Sequence, residues 1–319
     1  MTRTSRLLIS AFLVVAFTSA IPARAAELLR IGYQKYGTLI LLKAKGTLDK
    51  RLAAQGIEVK WTEFPAGPVL LEGLNVGSID IGTVGEAPPI FAQAAGANLV
   101  YFGHEPSAPT AEAIVVPKGS PITTVAQLKG KKVALNKGSN VHYLLVRALE
   151  KEGVRYADIE PVFLAPADAR AAFERGAVDA WVIWDPFFAA AEKQLGARVL
   201  ADGSGGVAKN HQFYLASRPY AERHPEVVRA VLEELAKVDD WGRENPRAVA
   251  QFLAPVIGLD TDIVEVAARR FSYGVTPLSP AVVAEQQRIA DTFYDLKLIP
   301  KKIDVASVIW NGTPAVALR

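Results

Sequence analysis

The sequence predicts an α/β protein built as two doubly wound lobes, and three observations carry that reading. Short β-rich segments alternate with amphipathic helical ones from residue 28 to about 217. A helix–glycine–strand corner occurs twice, at Gly77-Ser78-Ile79-Asp80 and again, 99 residues on, at Gly176-Ala177-Val178-Asp179. Beyond residue 219 the pattern turns helical almost throughout.

The strand signals lie between turn residues at Leu28 to Tyr33, Glu58 to Phe64, Ile79 to Thr83, Leu99 to Gly103, Glu112 to Val116, Lys132 to Asn136, Ala180 to Trp184 and Phe213 to Ser217. In Glu226 to Glu244, Val228, Val231, Leu232, Leu235 and Val238 recur at three- and four-residue steps, which gives one buried face. Pro246, Pro255 and Pro280 punctuate the helices that follow. Around the two corners, Pro65 to Gly96 and Ala165 to Gly196 each run helix, corner, strand and second helix, opened by Glu86-Ala87-Pro88-Pro89 and by Asp185-Pro186. The spacing is too long for a solenoid unit and suits two similar lobes. Such corners also recur in any α/β protein, so the pattern alone leaves the repeat open. Asp80 and Asp179 read as turn or cap residues on either view.

The first 25 residues read as a secretory signal. Arg3 and Arg6 precede the apolar run Leu7 to Phe17, and Ala23-Arg24-Ala25 supplies an A-x-A cleavage pattern, so the mature chain is expected to begin near Ala26. That run is short for a membrane span, and no later stretch reaches the ~18 to 20 apolar residues one needs. With no cysteine there is no lipid-attachment point, no disulfide and no thiolate metal site. The expectation is free diffusion in a periplasm. The net charge of +3 comes from Arg3, Arg6 and Arg24, which leaves the mature part balanced and gives no electrostatic case for nucleic acid or an anionic membrane.

Small ligands bind outside the carboxyl ends of strands, where helices begin. Four strand-to-helix turns suit this role: Tyr33 to Thr38, Gly82 to Glu86, Asn136 to Asn140 and Trp184-Asp185-Pro186. Helix N-termini offer unpaired N–H donors and the positive end of the dipole, so several converging starts make an anion site. Ordinary capping places Thr38, Ser139 and Asn140 in the same way. The chain holds no H-E-x-x-H, no Walker Gly-x-x-x-x-Gly-Lys and no G-x-S-x-G elbow. Gly203 to Ala208 fits G-x-G-x-x-A, but a strand-like segment follows it instead of a helix, so the dinucleotide reading lacks its context. No catalytic residue, metal or cofactor is expected, an exported enzyme on a related binding fold being the lesser alternative.

The runs Arg30 to Gly37, Glu72 to Asp80, Leu135 to Tyr143, Ala167 to Phe173 and Asp179 to Pro186 resemble those of the periplasmic aliphatic-sulfonate-binding proteins and their taurine- and nitrate-binding relatives. The resemblance is colinear over the mature chain. It implies the bilobal type II periplasmic binding fold, with a hinge and C-terminal helices, and a non-enzymatic carrier that delivers its ligand to an ABC importer. By the family's lobe order, residues 26–113 form the first part of one lobe, 114–212 the second lobe, and 213–319 a return to the first. The crossovers are then expected near Ile114 to Lys118 and His211 to Phe213.

The implied ligand is an alkanesulfonate, with taurine, nitrate and organosulfates as rivals, and the implied partner is an inner-membrane ABC permease met by a monomer. A sulfonate is anionic at every biological pH and offers three acceptor oxygens, so fixed neutral donors suit it. The expected donors are backbone N–H groups at Gly37-Thr38, Gly85-Glu86 and Gly138-Ser139-Asn140, with the Ser139 hydroxyl and the Gln34 and Asn140 amides. Trp184, beside Asp185, reads either as an apolar wall for the carbon chain or as lobe core. Lys35 reads as a surface lysine that aids anion attraction, and His142 as a packed histidine. Glu86 is discordant beside an anion; the expectation is that it turns away to cap its own helix, the alternative being a ligand cation.

Overall fold

The computed structural model describes residues 27–312. The expected signal segment, residues 1–25, lies outside them. Along the chain come β1 (Glu27–Tyr33), α1 (Gly37–Lys45), α2 (Thr47–Ala53), β2 (Ile57–Glu63), α3 (Gly67–Asn75), β3 (Ile81–Gly85), α4 (Pro88–Ala94) and β4 (Leu99–His104). Next are β5 (Glu112–Val116), β6 (Lys132–Leu135), α5 (Asn140–Lys151), β7 (Glu160–Phe163), α6 (Pro166–Glu174), β8 (Ala180–Trp184), α7 (Phe187–Leu195) and β9 (Arg198–Asp202). The chain ends with β10 (Gln212–Ser217) and the helices α8 (Arg218–Arg223), α9 (Pro225–Glu244), α10 (Pro246–Ile257), α11 (Thr261–Arg270) and α12 (Pro280–Asp295).

Two five-stranded sheets result, ordered β2-β1-β3-β10-β4 and β7-β6-β8-β5-β9. In each, the first three strands are parallel and the fourth runs antiparallel to both neighbours. The two orders correspond position for position, so the weak sequence repeat is a repeat of topology. At its two corners Gly77 (φ 73°) and Gly176 (φ 67°) take the left-handed backbone that glycine adopts without penalty. Asp80 then donates its N–H to Arg30 O at 2.7 Å and accepts the Arg30 N–H on Oδ2 at 2.9 Å. Asp179 repeats both bonds with Lys132, each at 2.8 Å. Both aspartates therefore serve the turn, as expected.

The chain crosses between sheets at residues 105–111 and 203–211, earlier than Ile114 to Lys118 and His211 to Phe213. The reason is pairing: Glu112–Val116 lies wholly between β8 and β9, and Gln212 already pairs with Gly85. A boundary between residues 113 and 114 would cut β5. The C-terminal helices do not all settle on the first lobe either. α9 and α10 pack on α1, but α11 packs on α7. α12 spans both lobes, with Gln286 donating to Glu86 O at 2.5 Å and Phe293 against Phe91 and His142. Among the described residues no helix is long and apolar enough to cross a membrane.

Candidate functional site

A cavity of about 50 Å³ lies between the two sheets and beneath α10 and α11. Its floor comes from strand-to-helix turns: Lys35-Tyr36-Gly37 before α1, Asn140 at the start of α5, and Trp184-Asp185-Pro186 after β8. Asn210 from the second crossover and Gln212, which opens β10, add to it. The roof is apolar, with Val249, Leu253 and Ile257 from α10, Val264, Ala267 and Ala268 from α11, then Phe271 and Tyr273. α10 reaches it because Val249, Leu253 and Ile257 recur four residues apart and fall on one face.

Neither α1 nor α5 is capped by a side chain; in the first turn of α5 the His142 N–H turns back to Ser139 O at 3.0 Å, while the Gly37 and Asn140 amides at the helix starts have no acceptor within their helices. Gly37 takes φ 77°, and a Cβ there would stand 3.6 Å from the Phe271 ring. The turn thus brings backbone close to the cavity where a side chain would narrow it.

Of the residues singled out from sequence, Lys35, Gly37, Asn140, Trp184 and Asp185 line the cavity. The others do not. Gln34 is buried and spends its amide on Thr83 O at 3.1 Å. The Thr38 hydroxyl is held by Asp239 at 2.6 Å and by Glu105 at 3.2 Å. Gly85 packs against the Asn140 side chain, whose Cβ would lie 2.8 Å from a Cβ at residue 85. The Gly138 N–H donates to His142 Nδ1 at 3.2 Å, and the Ser139 hydroxyl to Asn136 O at 2.8 Å. Those two donors are therefore committed to the turn itself. The Asn140 amide is committed too, donating to Glu112 at 2.5 Å and to Asn210 at 3.1 Å, which leaves its backbone N–H as its free donor type. His142 is fully buried, as a packed histidine should be, and burial drives its pKa down to about 4.

Glu86 corrects its expectation. It does not cap α4; fully buried, it accepts the His211 backbone N–H on Oε2 at 3.2 Å. Burial raises its pKa to about 8, against the pull of that hydrogen bond. Glu112, whose carboxyl is shut in by burial and feels Glu86 nearby, is also pushed well up. Asp185 rises to about 7 through burial, with Arg270 pulling the other way. A carboxyl that holds its proton at neutrality does not oppose an anion, so Glu86 is no longer discordant, while Asp185 at about 7 is divided between its two forms there.

Sequence reasoning missed Tyr36, Asn210, Gln212 and the whole α10–α11 roof. Tyr36 hydrogen-bonds Gln212 across the two turns, and its phenol is pushed up by burial. Asn210 adopts φ 53°, a left-handed conformation that asparagine tolerates better than most, and that was the one local signal available.

Comparison with known proteins accords with this geometry. Residues 52–249 match the family described as NMT1/THI5 like. A protein of Escherichia coli strain K12 named for aliphatic sulfonate binding is 48% identical over 93% of this chain and 93% of its own. The alkanesulfonate-binding protein SsuA from Xanthomonas axonopodis pv. citri, solved bound to MOPS, superposes with a TM-score of 0.85 at 44% identity, covering 90% of this chain and 99% of that one. The periplasmic aliphatic sulphonate binding protein SsuA from Escherichia coli gives 0.81 at 47% identity, covering 92% and 95%. On its bilobal architecture, its cleft between helix starts and these full-length likenesses, the chain belongs to the NMT1/THI5-like family and, within it, stands with the aliphatic sulfonate-binding proteins.

Proposed function

We propose that this protein captures aliphatic sulfonates in the periplasm and hands them unchanged to an ABC importer. The observation that carries the reading is the two-sided cavity, with uncapped helix starts at Gly37 and Asn140 on the floor and an aliphatic roof from α10 and α11. Each helix start favours an anion by about 0.3 to 1 kcal/mol, and up to about 2 when partly buried. Neutral amides bind a permanent anion without titrating, while the roof takes the carbon chain. The roof also favours an organic sulfonate over nitrate, which has no apolar part to bury. The protein would work as a monomer that docks transiently on the permease after its signal segment is removed near Ala25.

Thermal denaturation with alkanesulfonates, taurine, nitrate and sulfate tests this. A sulfonate at 100 times its dissociation constant should stabilise the fold by about 2.7 kcal/mol. Equal or greater stabilisation by nitrate, or none by any sulfonate, would refute it.

A further inference from the structure

Two buried polar atoms without hydrogen-bond partners belong to neighbouring side chains, Asp185 in the cavity wall and Arg270 behind it. Asp185, which lines it and is 6% exposed, accepts the Ala189 N–H on Oδ1 at 2.9 Å, while its Oδ2 has no partner. Arg270, the last residue of α11, lies with its guanidinium 4.1 Å from the Phe188 ring centre and gives Nη2 to Glu192 at 2.6 Å. Its Nη1 is buried and unbonded, 3.5 Å from Asp185 Oδ1. A well-formed pair of this kind closes to about 2.7–2.9 Å. Here the guanidinium and the carboxyl neighbour one another without closing, and one carboxyl oxygen and one N–H group remain unused. Leaving such buried atoms unmatched is unfavourable, so a ligand that supplies both complements gains more than one that supplies neither.

We infer that Asp185 and Arg270 form a specificity site for a neutral polar group at the end of the ligand remote from the sulfonate, a hydroxyl that donates to Asp185 and accepts from Arg270. The inference rests on the sulfonate reading above and names its substrate class as hydroxyalkanesulfonates. An ammonium fits less well: it can donate to Asp185 but offers Arg270 no acceptor and meets its positive charge. A methyl group fits least, because it desolvates both atoms and bonds neither. Trp184 and Phe271, the chain neighbours of Asp185 and Arg270, line the cavity with Asp185, whereas Arg270 stands outside its lining and reaches it through Asp185.

Calorimetric titration of the mature chain with isosteres decides the matter. The series compares 2-hydroxyethanesulfonate, 2-aminoethanesulfonate and propanesulfonate, then the same three end groups one carbon longer. At the better-fitting length the hydroxyl compound should bind at least about tenfold tighter than the methyl one, with the amine weaker than the hydroxyl. In Asp185→Ala and in Arg270→Met, which keeps an unbranched stem over Phe188, that preference should fall to within about twofold. A hydroxyl compound no tighter than its methyl isostere at both lengths, an amine that binds tightest, or folded variants that keep the tenfold preference would each overturn the assignment while leaving sulfonate capture intact. Failure of every sulfonate to bind would instead remove the functional reading beneath it.

Discussion

Glu86 and Asp185 occupy the same place in the two lobes, six residues after the corner aspartates Asp80 and Asp179 and directly after the strands β3 and β8. Both are buried acids whose pKa burial raises, yet they meet different fates. Glu86 is closed off by the second crossover, through His211, and by α12, whose Gln286 bonds its backbone carbonyl. Asp185 opens on the cavity and has Arg270 beside it. The repeat therefore supplies two equivalent platforms, and the helices that lie outside the repeat choose which of them faces a ligand.

The sharpest way to break that comparison is at the seam between the platforms. Gly85→Val places a side chain against Asn140 of the opposite lobe, where overpacking of about 1–3 kcal/mol should weaken sulfonate binding roughly ten- to a hundredfold. Gly77→Ala, with open space around it, should cost about 1 kcal/mol of stability from backbone strain alone and leave affinity within error, as calorimetry beside thermal melts can check. If both variants lose binding alike, the seam is not special.

A middle-sized effect separates the two corners. Asp80 adds to its backbone bonds a side-chain pairing with Arg30, at 2.9 Å to Nε and 2.6 Å to Nη2, whereas Asp179 bonds backbone only. Urea denaturation should show Asp80→Ala losing about 2–3 kcal/mol and Asp179→Ala about 1. Equal losses would mean that the Arg30 pairing is worth nothing in solution.

The finest effect is one of slope. Glu86 holds its proton in the fold up to about pH 8 but releases it near 4.5 when unfolded, so the folded state binds more protons between those values. Stability from this group is greatest below pH 4.5 and is lost as pH climbs towards 8. Asp185 acts in the same direction between about 3.8 and 7. Glu86→Gln should flatten the upper window and Asp185→Asn the lower one, read from melting temperatures across pH. Unchanged slopes would place the two carboxyls in water rather than in the interior.

The repeat was legible from sequence because its corners need particular residues: a glycine for the left-handed turn and an aspartate to bind the neighbouring strand's N–H. Seven of the eight strands that showed did so through buried β-branched or aromatic residues between turns, and the edge strand β2 did so through Val59, Trp61 and Thr62, which are half-buried. The two that did not, β7 and β9, are sheet edges with mostly half-buried or exposed residues, so no face alternates cleanly. The Ile79 to Thr83 strand is shifted two residues later because Asp80 is spent on the turn. At the site, the floor was partly visible in the turns at Gly37, Asn140 and Trp184-Asp185. Which donors a turn spends on itself, as at Gly138 and Ser139, depends on partners such as His142 that only packing reveals. The roof had no local signature at all, since Val249 and Ala267 read simply as the apolar face of a surface helix.

The first sheet takes its fourth strand from beyond the second crossover, and this bears on the order in which the molecule can be assembled. The second sheet, β5 to β9, is contiguous within residues 112–202. The first cannot be finished until residues 212–217 arrive to separate β3 from β4. A chain synthesised from its amino end would thus complete its second sheet before its first, leaving β3 and β4 waiting with open edges while about a hundred further residues emerge.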